Sequence, residues 1–404
     1  MPHALPAGEP VPTDGRLPDA AAAQVGHRPL GAYVHVPFCV TRCGYCDFNT
    51  YTADELQGTS SQSYLRAAVQ EMDLAQKVVP NAPPLGTVFF GGGTPTMLPS
   101  ADLVRLLEAL RSRFGLRPDA EVTTEANPES VTERSLTTLR EGGFGRVSFG
   151  MQSAVPHVLA ALDRVHTPGR VAEAVGEARR AGFRDVSVDL IYGAPRESLD
   201  DWRRSLESAI ALEPDHVSAY ALIVEDGTRL ASQIHRGELR APDDDEQAAK
   251  YELADGLLAA AGYDWYEVSN WARGDLHRSR HNLGYWLGDD WWGFGPGAHS
   301  HVAGVRWWNV KHPRSYAQLL GASRTPAAGR ELLSPAAQHM EHVLLEVRLR
   351  DGLSATSLDH AQTSRAHRFV DEGLLDDEQW ANGRAVLTLR GRLLADLVVR
   401  ELVQ

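Results

Sequence analysis

Between residue 31 and about residue 225, short β-branched and aromatic runs alternate six times with longer amphipathic stretches, and nothing else in the chain constrains its fold as tightly. The runs at 32–36, 87–90, 121–125, 146–150, 185–191 and 216–222 read as strands. Between them, over 64–79, 101–114, 132–141, 169–181 and 199–212, apolar residues recur at the three- and four-residue intervals of amphipathic helices. Repeated strand–helix units call for parallel strands joined by crossover helices, an α/β fold. A partial (β/α)6 barrel and an open doubly wound sheet both satisfy this count. In either one, chemistry collects at the carboxyl ends of the strands.

The residues with reactive side chains fall at those ends. All three cysteines of the chain lie within eight residues after the first strand, in the run Cys39-Val-Thr-Arg-Cys43-Gly-Tyr-Cys46. Iron–sulfur clusters normally take four thiolates. A cubane held here would therefore keep one iron without a cysteine. This CX3CX2C spacing matches the loop in which S-adenosylmethionine (SAM) chelates the open iron through its amino and carboxylate groups. The competing assembly is a structural zinc with His35 as fourth ligand, although such sites usually come as two separated pairs. A glycine run, Gly91-Gly92-Gly93-Thr94-Pro95-Thr96, follows the second strand and lets the backbone approach a ligand closely. It contains neither a P-loop lysine nor a dinucleotide fingerprint. Glu125 ends the third strand, Gln152 follows the fourth, and Asp189 sits late in the fifth.

Composition narrows the class. Lys and Arg total 40 against 53 Asp and Glu, a net charge of −13, with no basic run to attract nucleic acid or an anionic membrane. An odd, clustered cysteine set is not a disulfide framework. No apolar stretch reaches the roughly 18 residues of a membrane span. The expected setting is the reducing cytoplasm. Residues 1–30, rich in Pro, Ala and Gly, lack the features of a signal peptide and read as a disordered extension, leaving a barrel over 31–262.

Together the run Tyr33-Val-His-Val-Pro-Phe-Cys39, the three cysteines, Gly91-Gly-Gly-Thr-Pro-Thr96 and Asp189-Leu-Ile-Tyr-Gly193 resemble the radical SAM enzymes related to oxygen-independent coproporphyrinogen III dehydrogenase. Within that superfamily the chain is most similar to the HemW heme chaperones. The dehydrogenase has CX3CX2CXC, whereas Phe48 stands here at the last position. The run His281-Asn282-Leu-Gly-Tyr285-Trp286 matches the HNxxYW signature of the chaperones. The resemblance implies a 4Fe-4S cluster on Cys39, Cys43 and Cys46, with SAM and heme as further ligands. It gives Tyr45 the aromatic position against the adenine, Tyr33 a place near bound SAM, and Gly93 and Thr94 contacts to the methionine part. Glu125 resembles the carboxylate that holds the first SAM, and Gln152, Arg164 and Asp189 resemble residues that hold a second. It further implies a heme-acceptor protein and an electron donor such as a flavodoxin or ferredoxin. The alternatives are the dehydrogenase itself and a radical SAM methyltransferase.

Two further regions carry expectations. Seven of the nine tryptophans lie between Trp265 and Trp308, with His277, His281, His299 and His301, in a connecting region over 263–330. Indole surface suits a planar macrocycle and imidazole can ligate its iron. His281 is the expected axial ligand and His299 the runner-up. Beyond residue 330, helices at 335–348, 354–361, 366–372 and 391–403 around apolar segments at 373–375 and 385–389 resemble a winged-helix-like domain over 331–404. With eight basic residues against twelve acidic ones, it is expected to form a lid or docking surface rather than to bind DNA.

Overall fold

In the computed structural model, which describes residues 8–56, 60–164, 167 and 169–403, six parallel strands lie side by side in chain order. They are β1 (Leu30–Val36), β2 (Leu85–Gly92), β3 (Leu116–Ala126), β4 (Arg146–Gln152), β5 (Asp185–Tyr192) and β6 (His216–Ala221). The period-two pattern of a strand decides which side chains enter the core. In β1, Ala32, Val34 and Val36 are fully buried, while Tyr33 and His35 alternate with them. Helices Ser61–Val78, Ser100–Phe114, Glu133–Glu141, Arg170–Arg180 and Leu199–Ala211 connect the strands. Leu103, Leu106, Leu107 and Leu110 of the second are all buried, as their spacing requires. Ser60 caps the first helix, and Thr132 and Ser198 open the third and fifth with capping boxes, so the chain turns sharply from strand end to helix.

The sheet extends past both edges of this unit. Next to β6 lies an antiparallel hairpin, β7 (Asp264–Glu267) and β8 (Asn270–Ala272). Next to β1, β9 (Asp290–Phe294) runs parallel, followed by antiparallel β10 (His299–Val302), β11 (Val305–Asn309) and β12 (Ala327–Leu332). The result is one twelve-stranded sheet that starts at β12 and ends at β7, an open partial barrel. The expected connecting region is therefore divided between its two edges. Buried Glu71, in helix Ser61–Val78, fixes one edge by accepting hydrogen bonds from Gly295 N (2.8 Å), Asn309 Nδ2 (2.7 Å) and Tyr316 OH (2.5 Å).

Two other expectations need correction. Residues 8–30 are not a disordered extension: Leu17 and Ala21 are buried in the main core, and Glu9 and Arg330 exchange backbone hydrogen bonds at the β12 edge. The rest of the segment expected to be disordered, residues 1–7, lies outside the described residues. Beyond residue 334 a second core gathers Val343, Val347, Phe369, Leu375, Leu387, Val398 and Leu402. Helix Pro335–Glu346 matches its expected place, but residues 353–357 form a short strand and a 3-10 turn instead of a helix, and the next helix, His360–Asp371, begins six residues before the expected 366 and runs through the expected break. The last helix is broken into Leu389–Leu393 and Ala395–Leu402. Just before the break, Arg392 reaches inward to make a bidentate pair with Asp255 (2.8 and 2.7 Å) beneath the Trp265 ring. No described helix is long and apolar enough to cross a membrane.

Candidate functional site

The carboxyl ends of the six strands surround a cavity of about 890 Å³. Its wall includes every expected site residue: Tyr33, Cys39, Cys43, Tyr45, Cys46, Gly93, Thr94, Glu125, Gln152, Arg164, Asp189 and His281.

The cysteine loop leaves β1 at Pro37 and returns at Tyr51, whose backbone N–H donates to the Pro37 carbonyl (2.7 Å) while its own carbonyl accepts from Cys39 N (3.1 Å). All three thiols are half-buried and unpaired. Burial pushes the Cys39 thiol up and that of Cys46 to about 11, with the other thiols of the loop adding to the rise. A bound cationic centre would reverse that preference and hold them as thiolates. The zinc alternative loses its fourth ligand. His35 is buried, with Nε2 donating to the Asn49 carbonyl (2.9 Å) and Nδ1 bonded to the Tyr33 hydroxyl (3.0 Å). Three cysteines without a fourth protein ligand suit a cubane with one open iron better than a closed zinc site. The glycine run packs directly against this loop. A Cβ on Gly93 would stand 2.6 Å from the Phe38 carbonyl oxygen and 3.0 Å from Cys39 Sγ, so only glycine lets the two loops meet. Thr94 N closes the contact by donating to Phe38 O (2.8 Å).

Deeper in, buried carboxyls dominate. Burial pushes Glu125 up to about 8, the nearby Asp189 carboxyl adds to this, and one donor, Gly92 N at 3.1 Å, opposes it. Asp189 is also raised by burial, against a hydrogen bond from Ser148 Oγ (2.8 Å). Arg164 directs Nη2 to the Gly150 carbonyl (3.1 Å) and Nη1 toward Cys43 Sγ (3.7 Å). Beside it Gln152 holds a left-handed backbone, φ +64°. A Cβ on Gly150 would lie 2.8 Å from Gln152 Nε2 and 3.0 Å from Arg164 Nη2, so this glycine makes room for both. Tyr45 packs on an apolar patch of Val155, Val158, Leu162, Ile191 and Leu222, which leaves a flat aromatic face beside the cysteines.

Sequence reasoning missed the polar floor. Ser148, Ser187 and Ser218 each lie between apolar neighbours on β4–β6, His216 opens β6, and all four join the expected Asp189 in the cavity wall. Register brings Ser148 opposite Ser187, Ser187 opposite His216, and Asp189 opposite Ser218. Buried Arg146 adds a guanidinium that donates to the His277 carbonyl (2.9 Å).

The expected heme platform is corrected by the topology. Trp265 and Trp271 lie on the β6 edge of the sheet, whereas Trp291, Trp292, Trp307 and Trp308 lie on the β1 edge, so the tryptophans do not share one surface. Most are packing residues, as with Trp292 against Trp307 at 4.7 Å. His281 is buried and both of its ring nitrogens are engaged, Nδ1 with Thr87 Oγ1 (2.7 Å) and Nε2 with Tyr285 OH (2.9 Å). Burial lowers it to about 3, so it stays neutral, with no free nitrogen for an iron. His299 is exposed, sits on β10 facing Trp308 and is not part of the cavity wall. Among the described residues nothing beyond Tyr285 lines the cavity, so the C-terminal unit does not form its lid.

The sequence profile of the radical SAM superfamily matches residues 33–209. The heme chaperone HemW of Mycobacterium tuberculosis is 54% identical over 376 residues, spanning 93% of this chain and 95% of that protein. HemW of Bacillus subtilis is 33% identical, across 91% and 97% of the two chains, and HemW of Escherichia coli 35%, across 72% and 76%. The solved structure of the E. coli radical SAM enzyme coproporphyrinogen III oxidase, HemN, superposes with a TM-score of 0.81 over 95% of this chain and 92% of that one. At 23% identity that likeness concerns the fold.

Proposed function

The chain belongs to the HemW family within the radical SAM superfamily, and from that premise we propose that it is a heme chaperone, which binds heme and passes it to an acceptor protein. The observation that carries the reading is 54% identity sustained over 93% of the chain with a protein named as such a chaperone. Cys39, Cys43 and Cys46 hold a 4Fe-4S cluster and leave its fourth iron to SAM. When bound, the cluster supplies single electrons to the SAM sulfonium, drawn from a donor such as a flavodoxin or ferredoxin.

The chain's own residues bind and orient. Glu125 accepts hydrogen bonds from the amino end of SAM, the Gly93–Thr94 turn carries the methionine part, and Tyr45 offers its ring to the adenine. Tyr33, on the cavity wall with its hydroxyl fixed by His35, limits where the ligand can sit. Gln152, Arg164 and Asp189 form a second polar corner able to hold another SAM. The dehydrogenase alternative is weakened at Phe48, which puts an apolar ring where that enzyme has its extra cysteine.

Hemin titration of the full chain, reconstituted anaerobically, tests the reading. A Soret band saturating near one equivalent is expected. Incubation with coproporphyrinogen, SAM and a reductant should yield no vinyl-bearing product. No heme binding at micromolar concentration would remove the chaperone, and measured turnover would install the enzyme in its place.

A further inference from the structure

The mouth of the cavity carries apolar side chains that the cluster and SAM leave unused. Val40 is 72%, Ile223 67%, Phe48 63%, Tyr220 45% and Met97 40% exposed. All five line this one cavity. The other exposed large apolar side chains of the described residues, such as Leu276 and Met340, lie away from it. Exposed apolar side chains gathered around one opening mark a binding site more often than singly scattered ones do.

Three separate elements supply the rim. Val40 and Phe48 stand on the cysteine loop, Met97 on the turn after β2, and Tyr220 and Ile223 at the end of β6. No single strand or helix added to the sheet would cover all three, whereas a flat disc lying across the opening would. Two cations by the cysteine loop are paired within the chain, Arg42 with Glu55 at 3.1 Å and Arg229 with Asp163 at 3.4 Å, and exposed Asp47 beside Phe48 adds a negative charge to the wall. With these cations paired, the rim offers an apolar face rather than a site for an anionic partner. A porphyrin has such a face, and its carboxylates, confined to one edge, can remain in water. The imidazoles on the cavity wall cannot draw the iron inward. Both nitrogens of His281 are engaged, and His216 is bonded to Ser187 Oγ (2.7 Å) and Tyr266 OH (2.8 Å).

We infer that heme docks flat across the barrel mouth on Val40, Phe48, Met97 and Ile223, and in doing so closes the cavity over bound SAM. The inference rests on the heme-chaperone reading and adds a location and a consequence. Heme and SAM then share one opening. SAM can enter and leave only while the heme face is vacant, and heme covers whatever SAM is already in place. Phe48 gains a role of its own: in place of a thiol, the loop presents a ring to the macrocycle.

The test uses the full chain with its cluster reconstituted anaerobically, loaded with labelled SAM and chased with unlabelled SAM, with and without hemin. Saturating hemin should slow SAM release severalfold. Ile223→Asp and Phe48→Asp should each weaken hemin binding about tenfold, because a charge would be buried against an apolar face, and should restore fast release. Leu276→Asp, at a side chain still more exposed but away from the cavity, should bind hemin as the native chain does. Unchanged cluster absorbance in the variants would show that the loop is intact. Native hemin affinity in both rim variants overturns the docking surface and leaves the chaperone reading standing. Unchanged SAM release under saturating hemin overturns the closure. A native chain that binds no hemin removes both the inference and the reading on which it rests.

Discussion

Raising the pH from 7 to 9 should tighten SAM binding by a margin that Glu125→Gln removes. Burial puts the Glu125 carboxyl at about 8, with Asp189 adding to the rise and a single backbone donor, Gly92 N, opposing it. With that value, roughly one carboxyl in eleven is ionised at pH 7 and roughly ten in eleven at pH 9. If only the carboxylate accepts well from the amino end of SAM, the competent fraction of protein rises about tenfold, and apparent affinity rises with it by ~1.4 kcal/mol. The sign follows from the proton: it must leave Glu125 on binding, so affinity climbs as pH rises through the raised value and levels above it. The amino group of SAM titrates nearby, but its contribution is common to both proteins. The difference between native and Glu125→Gln affinities therefore isolates the carboxyl. Equilibrium dialysis of reconstituted protein at four pH values between 6.5 and 9 would measure it. Asp189→Asn should shift the inflection to lower pH, because it removes a negative neighbour. Parallel native and Glu125→Gln curves would refute the assignment of Glu125 to SAM.

Two further outcomes are expected. Cys43→Ala should reduce the iron and sulfide of anaerobically reconstituted protein from about four of each per chain to background, while circular dichroism of the apoprotein stays native; retained iron would exclude Cys43 as a ligand. Glu71→Ala leaves three buried donors, Gly295 N, Asn309 Nδ2 and Tyr316 OH, without their acceptor. It should cost about 3–5 kcal/mol in urea unfolding, and a loss under about 1 kcal/mol would show that the β9–β11 edge is held by other means.

The six parallel strands were legible because each is an apolar run with its own local pattern, and observed bounds differ from expected ones where that pattern fades. β3 begins at Leu116, five residues before the apolar stretch, since Arg117, Pro118 and Asp119 are exposed and show no alternation. The outer strands were illegible for a different reason. β9 is a strand because it pairs in parallel with β1, Trp292 opposite Ala32, far away in the chain. Strand preference reflects such neighbours more than the residues themselves. The tryptophans and histidines of 263–330 invited a ligand reading because they are close in sequence, yet the β8–β9 crossing carries them to opposite edges of a twelve-stranded sheet. In the same way, the last helix read as continuous because its apolar spacing is unbroken, whereas Arg392 is drawn toward Asp255 on the barrel.

For the site, the deciding difference is between residues that declare their chemistry in a contiguous motif and those that acquire it from register. Three cysteines in eight residues announce a shared loop, and a triple glycine announces close backbone approach; both meet at Gly93 and Cys39. Ser148, Ser187, His216 and Ser218 announce nothing, since a lone polar residue inside a strand is as readily a satisfied packing residue as a ligand. They become one floor because β4, β5 and β6 align them. His281 shows the converse. Its motif singles it out, but the Thr87 hydroxyl on one side and the Tyr285 hydroxyl on the other use both of its nitrogens. A ligand needs a free lone pair, and whether a histidine has one depends on neighbours such as Thr87, supplied by β2 almost two hundred residues earlier. The signature can then act through shape: His281, itself in the cavity wall, stacks on Phe89, which in turn stacks on Tyr33, and the motif fixes that part of the wall.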